Sequence, residues 1–187
     1  MKRRSALVAL AAAGLLALMP ASAAADPNNE SATFELHVDV PNVAMASNGD
    51  TIGITGTGTF SVHPKSVAVS GTFAHHVAGG STFTGTWTAT DLLSFEFYGC
   101  GVVPSIGLTL PPDFCGGAVK MRVDFMPAGT NLVIPGIITV FCVIGTQAPS
   151  THDNPTQPGE EGVTVVVPGI ANFNKIVSGM NHYVRTS

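Results

Sequence analysis

From Thr33 onward the apolar residues of this chain return at every second position, and that period limits the folds open to it. Phe34, Leu36, Val38 and Val40 share one parity, and Thr33, Glu35, His37 and Asp39 share the other. Successive side chains of an extended strand point to opposite faces, so this run reads as a half-buried β-strand. The pattern repeats with Ile52, Ile54, Phe60 and Val62 against Thr51, Thr55, Thr57, Thr59 and Ser61. It repeats again with Val67, Val69, Phe73 and Val77, and then with Phe83, Trp87 and Ala89 against a row of threonines. Further strands are expected at Leu93/Phe95/Phe97, Val119/Met121/Val123/Phe125, 137–144 and Val163/Val165/Val167, with a looser one across 171–183. A helical period is absent after residue 25. The expected fold is all-β, an antiparallel meander of about nine strands closing into a single-domain β-barrel, with a β-sandwich as the alternative.

Three strands carry an internal echo: Gly58-Thr59-Phe60, Gly71-Thr72-Phe73 and Gly85-Thr86-Trp87. In each, the glycine and the ring share the inward parity. An inward glycine leaves room on a coiled sheet, and a nearby ring can cover the bare backbone. A hairpin turning on Pro64-Lys65 would pair Phe60 with Val69 and Gly58 with Gly71. A three-residue loop at Gly79-Gly80-Ser81 would pair Phe73 with Trp87 and His75 with Gly85. Both registers set inward residues against inward residues, as a one-sided core requires.

Residues 1–25 have a different character. Lys2-Arg3-Arg4 precedes an apolar run from Leu7 to Met19, and Ala21-Ser22-Ala23 and Ala23-Ala24-Ala25 offer small-residue cleavage sites. This is the pattern of a secretory signal peptide, which leaves 26–187 as one all-β domain that is secreted and not held in a membrane after cleavage. Three of the eight basic residues fall in the leader, leaving five against twelve acidic ones, a net charge of −7. So few Lys and Arg give no footprint for nucleic acid. The segments 99–117, rich in Pro, Gly and Cys, and 145–162, polar with three prolines, read as loops.

Export makes the three cysteines informative. Cys100 and Cys115 bracket a Pro-rich loop and are expected to pair. Cys142 lies in the most apolar strand, where a thiol behaves as a small hydrophobe. The histidines show no His-x-His spacing, and the neighbours His75 and His76 point to opposite faces of a strand. No metal site and no cofactor are expected. Glu35, His37 and Asp39 read as a solvated face. Sequence signatures of a hydrolase nucleophile, a zinc protease or a phosphate loop are missing, so no catalytic residue is assigned.

The run Gly-Thr-Gly-Thr-Phe, Gly-Thr-Phe-Ala-His, Gly-Thr-Trp-Thr-Ala, Leu-Leu-Ser-Phe-Glu-Phe-Tyr-Gly-Cys-Gly and Phe-Cys-Gly-Gly resembles a group of uncharacterised small secreted β-rich proteins of bacteria and fungi. The resemblance covers roughly residues 51–180 and implies a one-domain β fold and no particular activity.

Two functions follow as expectations. One is a secreted, non-enzymatic module that binds an extracellular protein or glycan through Thr-rich faces. The other is a barrel that takes a small apolar ligand, as a carrier or as an isomerase or cyclase, with His75 in the cavity and Phe73 and Trp87 as further ligand contacts. Whether the interior is filled by Phe60, Phe73, Phe83 and Trp87 or is hollow around His75 separates them.

Overall fold

The computed structural model describes residues 31–149 and 161–187. The expected signal peptide, residues 1–25, and most of the polar loop after Gly145 lie outside the described residues. Twelve strands are found among the described residues: β1 (Thr33–Met45), β2 (Thr51–Ser61), β3 (Ser66–His76), β4 (Thr82–Cys100), β5 (Val102–Val103), β6 (Leu108–Thr109), β7 (Phe114–Pro127), β8 (Ile134–Cys142), β9 (Gly162–Val167), β10 (Ala171–Phe173), β11 (Lys175–Ser178) and β12 (His182–Arg185). The only helical turn among them is a short 3-10 piece at Pro104–Ile106.

Strands β1 to β4 form the expected antiparallel meander. β4 then pairs with β7, β7 with β12, and β12 with β1, so six strands close into a ring. β7 has a second partner along Gly117–Phe125, where β8 pairs with it, and β9 and β10 follow outward. That arm returns to β1, because β11 pairs with Val43–Met45. The period-two segments therefore bury their apolar parity inside a structure closed on itself, which leaves few open strand edges.

The interior is packed for most of its length. At one end Phe34, Phe60, Phe95 and Tyr183 form an aromatic cluster, with Phe34 stacked on Phe60 at 5.3 Å and Tyr183 edge-on to Phe60 and Phe95 at 5.7 Å each. Trp87 is wholly buried in the middle, its Nε1–H donating to the Thr55 carbonyl at 2.9 Å. Phe73 meets Phe125 edge-on at 5.3 Å toward the other end. Of the three echo glycines only Gly85 faces a ring. A Cβ added at Gly58 or Gly71 would instead run into the carbonyl oxygen of Ala68 or of Thr55, so these two serve close approach of neighbouring backbone. The other glycines under rings lie outside the echo. A Cβ added at Gly56 would lie 2.5 Å from the Trp87 ring, and one at Gly85 would lie 2.6 Å from the Phe73 ring. Gly117 and Gly136 stand in the same relation to Phe95 and Phe125.

The register differs from the expected one by two residues in each hairpin. Phe60 pairs with Val67 and Gly58 with Val69, because the turn is a four-residue loop, Val62–Lys65, with a cis His63–Pro64 bond. Phe73 pairs with Gly85, and His75 with Phe83, around the longer turn 77–81. A two-residue slip preserves parity, so the inward set survives while every cross-strand partner changes. Two further readings are corrected. Val40 is 45% exposed although it has the inward parity, because β1 bulges between Val38 and Asn42. Leu93/Phe95/Phe97 is not a separate strand but the second half of β4, whose pairing with β7 shifts register three times. Each bulge adds an unpaired residue and makes the alternation seem to restart.

Candidate functional site

Where β2, β3 and β4 meet the ends of β7, β8, β9 and β10, the ring residues stop filling the interior. A cavity of about 290 Å3 opens there, with walls that include Ile52, Phe73, Phe125, Ile134, Val167 and Phe173. Phe83, Leu132 and Ile170, all more than half exposed, form its rim. The interior is thus both filled and hollow: Phe60, Phe73 and Trp87 pack the body, Phe83 is at the mouth, and the space lies beside His75. Trp87, four residues along β4 from Phe83, does not line the cavity, whereas Phe73 forms part of its wall.

His75 and Thr130 are the polar members of the lining. The His75 ring packs edge-on against Phe173 at 5.3 Å, and its Nε2 lies 3.3 Å from Asp50 Oδ2. Asp50 is buried in the β1–β2 turn and also accepts the Ala78 N–H at 2.8 Å, so it ties that turn to the β3–β4 turn. The Ala78 N–H holds the Asp50 carboxyl below the usual range against the pull of desolvation, and Asn48 and His75 add to the effect. An acidic partner at Nε2 places the ring proton there and makes Nδ1 the atom open to a ligand. Among the described residues, Nδ1 has no protein partner. Asp50 was not singled out in the sequence; its signal was the turn run Ser47-Asn48-Gly49-Asp50 directly before a strand.

The cysteines lie away from this mouth. Cys100 and Cys115 are opposite one another on β4 and β7 and form a disulfide. Cys142 is a buried free thiol whose pKa is pushed up chiefly by burial. It lies near a buried polar cluster: Asn42 donates to Asn181, Asn181 donates to the carbonyls of Phe141 and Gly162, and Glu161 Oε1 accepts the Asn181 N–H at 2.8 Å. Burial pushes the Glu161 carboxyl up to about 7.

A second group of titratable side chains is brought together on the outer face. His37 of β1 and His182 of β12 are direct cross-strand partners. Their rings stack at 4.6 Å and 4°, and the Nδ1 atom of each lies 3.7 Å from an Asp39 carboxylate oxygen. The expected Glu35-His37-Asp39 face exists, but sequence spacing along one strand could not show that His182, from the other end of the chain, would join it. Burial, and then the neighbouring His37, lower the His182 pKa.

Fold and site together define an all-β protein with a closed six-stranded ring and an apolar cavity at one end, walled by a carboxylate-held histidine. Comparison with protein-family models, curated proteins and solved structures finds no match.

Proposed function

We propose that this is an exported, disulfide-bearing binding protein whose cavity takes a small apolar ligand, with His75 as its polar handle. The observation that carries the reading is an apolar hollow of about 290 Å3 bordered by one ordered imidazole. Small-molecule sites are concave, mostly apolar and fitted with a few placed polar groups. A dry cavity of roughly 150 Å3 holds benzene, so this one suits a ligand of about two rings carrying a hydroxyl or carbonyl. The exposed rim of Phe83, Leu132 and Ile170 gives such a ligand an apolar entrance.

Titration with naphthalene and 2-naphthol, read by probe fluorescence, tests this. One probe should bind per chain. Leu132→Asp and Ile170→Asp should weaken both, and His75→Ala should weaken 2-naphthol about fivefold while sparing naphthalene, the effect of one hydrogen bond. Failure of either probe to saturate, or indifference to all three substitutions, would sink the reading.

A second reading has one observation behind it, the orientation of His75 by Asp50, an arrangement that suits proton transfer. It is an isomerase-like activity on an enolisable ligand. Deuterium exchange at the α-carbon of 2-tetralone in heavy water, abolished by His75→Ala with binding retained, would favour it. No exchange above the buffer rate leaves binding alone.

A further inference from the structure

The outer-face histidines carry chemistry that the cavity does not use. His37 and His182 come from opposite ends of the described chain and meet only because β12 inserts beside β1. Both rings are half-buried and fixed from two sides. Phe114 stacks on His182 at 5.2 Å and 9°, and His182 in turn stacks on His37. On its other edge, His37 Nε2 lies 3.5 Å from Glu35 Oε2. At this ion-pair distance the Glu35 carboxylate favours the ring proton on Nε2, with the Nδ1 lone pair on the side of Asp39. Metal-ligating histidines commonly have a carboxylate on the second nitrogen that sets tautomer and orientation, and Glu35 stands where such a partner would.

We propose that His37 Nδ1, His182 Nδ1 and one Asp39 carboxylate oxygen bind a divalent first-row transition ion, with Glu35 positioning His37. The three ligand atoms lie within 4.8 Å of one another. Zinc with bonds of about 2.0–2.2 Å in a tetrahedral shell needs ligand separations of roughly 3.4 Å, so the group must close by little more than 1 Å. Asp39 is exposed and able to swing, and the two rings give up part of their parallel stacking to bring both Nδ1 lone pairs onto one ion. Two imidazoles and one carboxylate suit Zn(II) and Cu(II) over Mg(II) or Ca(II), which take all-oxygen shells. Three protein ligands on an outer face leave a fourth position to water or to a donor from outside. The expectation that no metal is bound came from spacing within single strands, where a cross-strand pair leaves no mark.

Such an ion would also clip β12, a four-residue strand, to β1. The test uses protein without an affinity tag, titrated with zinc chloride and copper(II) chloride and followed by calorimetry. One ion should bind per chain, with binding at least tenfold weaker in His37→Ala, His182→Ala and Asp39→Asn. Glu35→Gln should cost about tenfold, the usual scale for such a supporting group, and His63→Ala, outside both sites, should leave ion binding unchanged. In wild-type protein, zinc should move the imidazole nitrogen signals of His37 and His182 in NMR spectra and leave those of His63, His75 and His76 in place, a readout that depends on no variant folding. Zinc should raise the melting temperature of wild type and not of His182→Ala. Absence of saturable binding of either ion, or stoichiometric binding that survives both histidine substitutions, would overturn the proposal.

Discussion

At the scale of single residues, the inward glycines decide what the interior can hold. Gly85 faces Phe73 across the β3–β4 pairing, and a Cβ there would meet both the Phe73 ring and the Met126 carbonyl oxygen. The ring could shift a little; the backbone oxygen cannot. Gly85→Val should therefore destabilise the protein by about 1–3 kcal/mol, the range for overpacking a close-packed interior. Urea unfolding measures it, and an unchanged midpoint would mean that Gly85 does not face the core. Phe73 also walls the cavity, so the same variant should weaken probe binding more than its stability loss alone requires. Asp50 is the other residue of consequence here. It holds His75 on one oxygen and a turn amide on the other, which couples the ligand handle to the backbone of two loops.

At the scale of elements, β4 and β7 do most of the organising. β4 runs nineteen residues with three register shifts, and β7 serves both the ring and the β8–β10 arm. The Cys100–Cys115 bridge fastens the end of this pair and closes the excursion that holds β5 and β6. Its sequence separation is 15 residues, and chain entropy for a loop of that size corresponds to about 3 kcal/mol. Replacing both cysteines with serine should lower unfolding free energy by about that amount in urea. A loss below about 1 kcal/mol would mean that strand pairing already restrains the loop in the unfolded chain. Cys142, buried and with its thiolate disfavoured, should not react with a thiol reagent until the protein unfolds.

At the scale of the whole molecule, the buried polar cluster joins β1, β9 and the β11–β12 turn, and its charge state links folding to pH. Glu161 is held near 7 in the folded protein, above the ordinary 4.5 of a free carboxyl. The folded state then binds the proton more tightly than the unfolded chain between those values. Its stabilising contribution is complete below about pH 4.5 and is lost as pH rises through 7. At 1.36 kcal/mol per unit, the loss is on the order of 3 kcal/mol. Glu161→Gln keeps an oxygen for the Asn181 N–H and cannot ionise. Its stability relative to wild type should climb by up to that amount between pH 4.5 and 8. A difference that stays constant across that range would show that Glu161 does not titrate with folding. Asp50, whose carboxyl is held low, acts in the opposite direction and loses its contribution as pH falls.

Alternation by itself determined the all-β class, the meander of the first four strands and most of the inward set, Val40 excepted, and the bracketing of a Pro-rich loop pointed to the Cys100–Cys115 pair, because both are local properties of the chain. Glycine–aromatic packing was legible at Gly85 alone among the three echo positions, because which ring covers which glycine depends on cross-strand register. Local pattern is blind to a slip of two residues, so the partners of Phe60, Phe73 and His75 had to come from the turns. It is equally blind to pairing over long stretches of chain. Insertion of β12 between β7 and β1 joins Tyr183 to Cys115, 68 positions away, and the return of β11 to β1 and the meeting of His37 with His182 join residues more than a hundred positions apart. Only the closed tertiary structure decided them. The cavity belongs there too: its walls come from seven strands, and it exists because the rings of Phe73 and Phe125 meet one level below His75 and leave the space above them open.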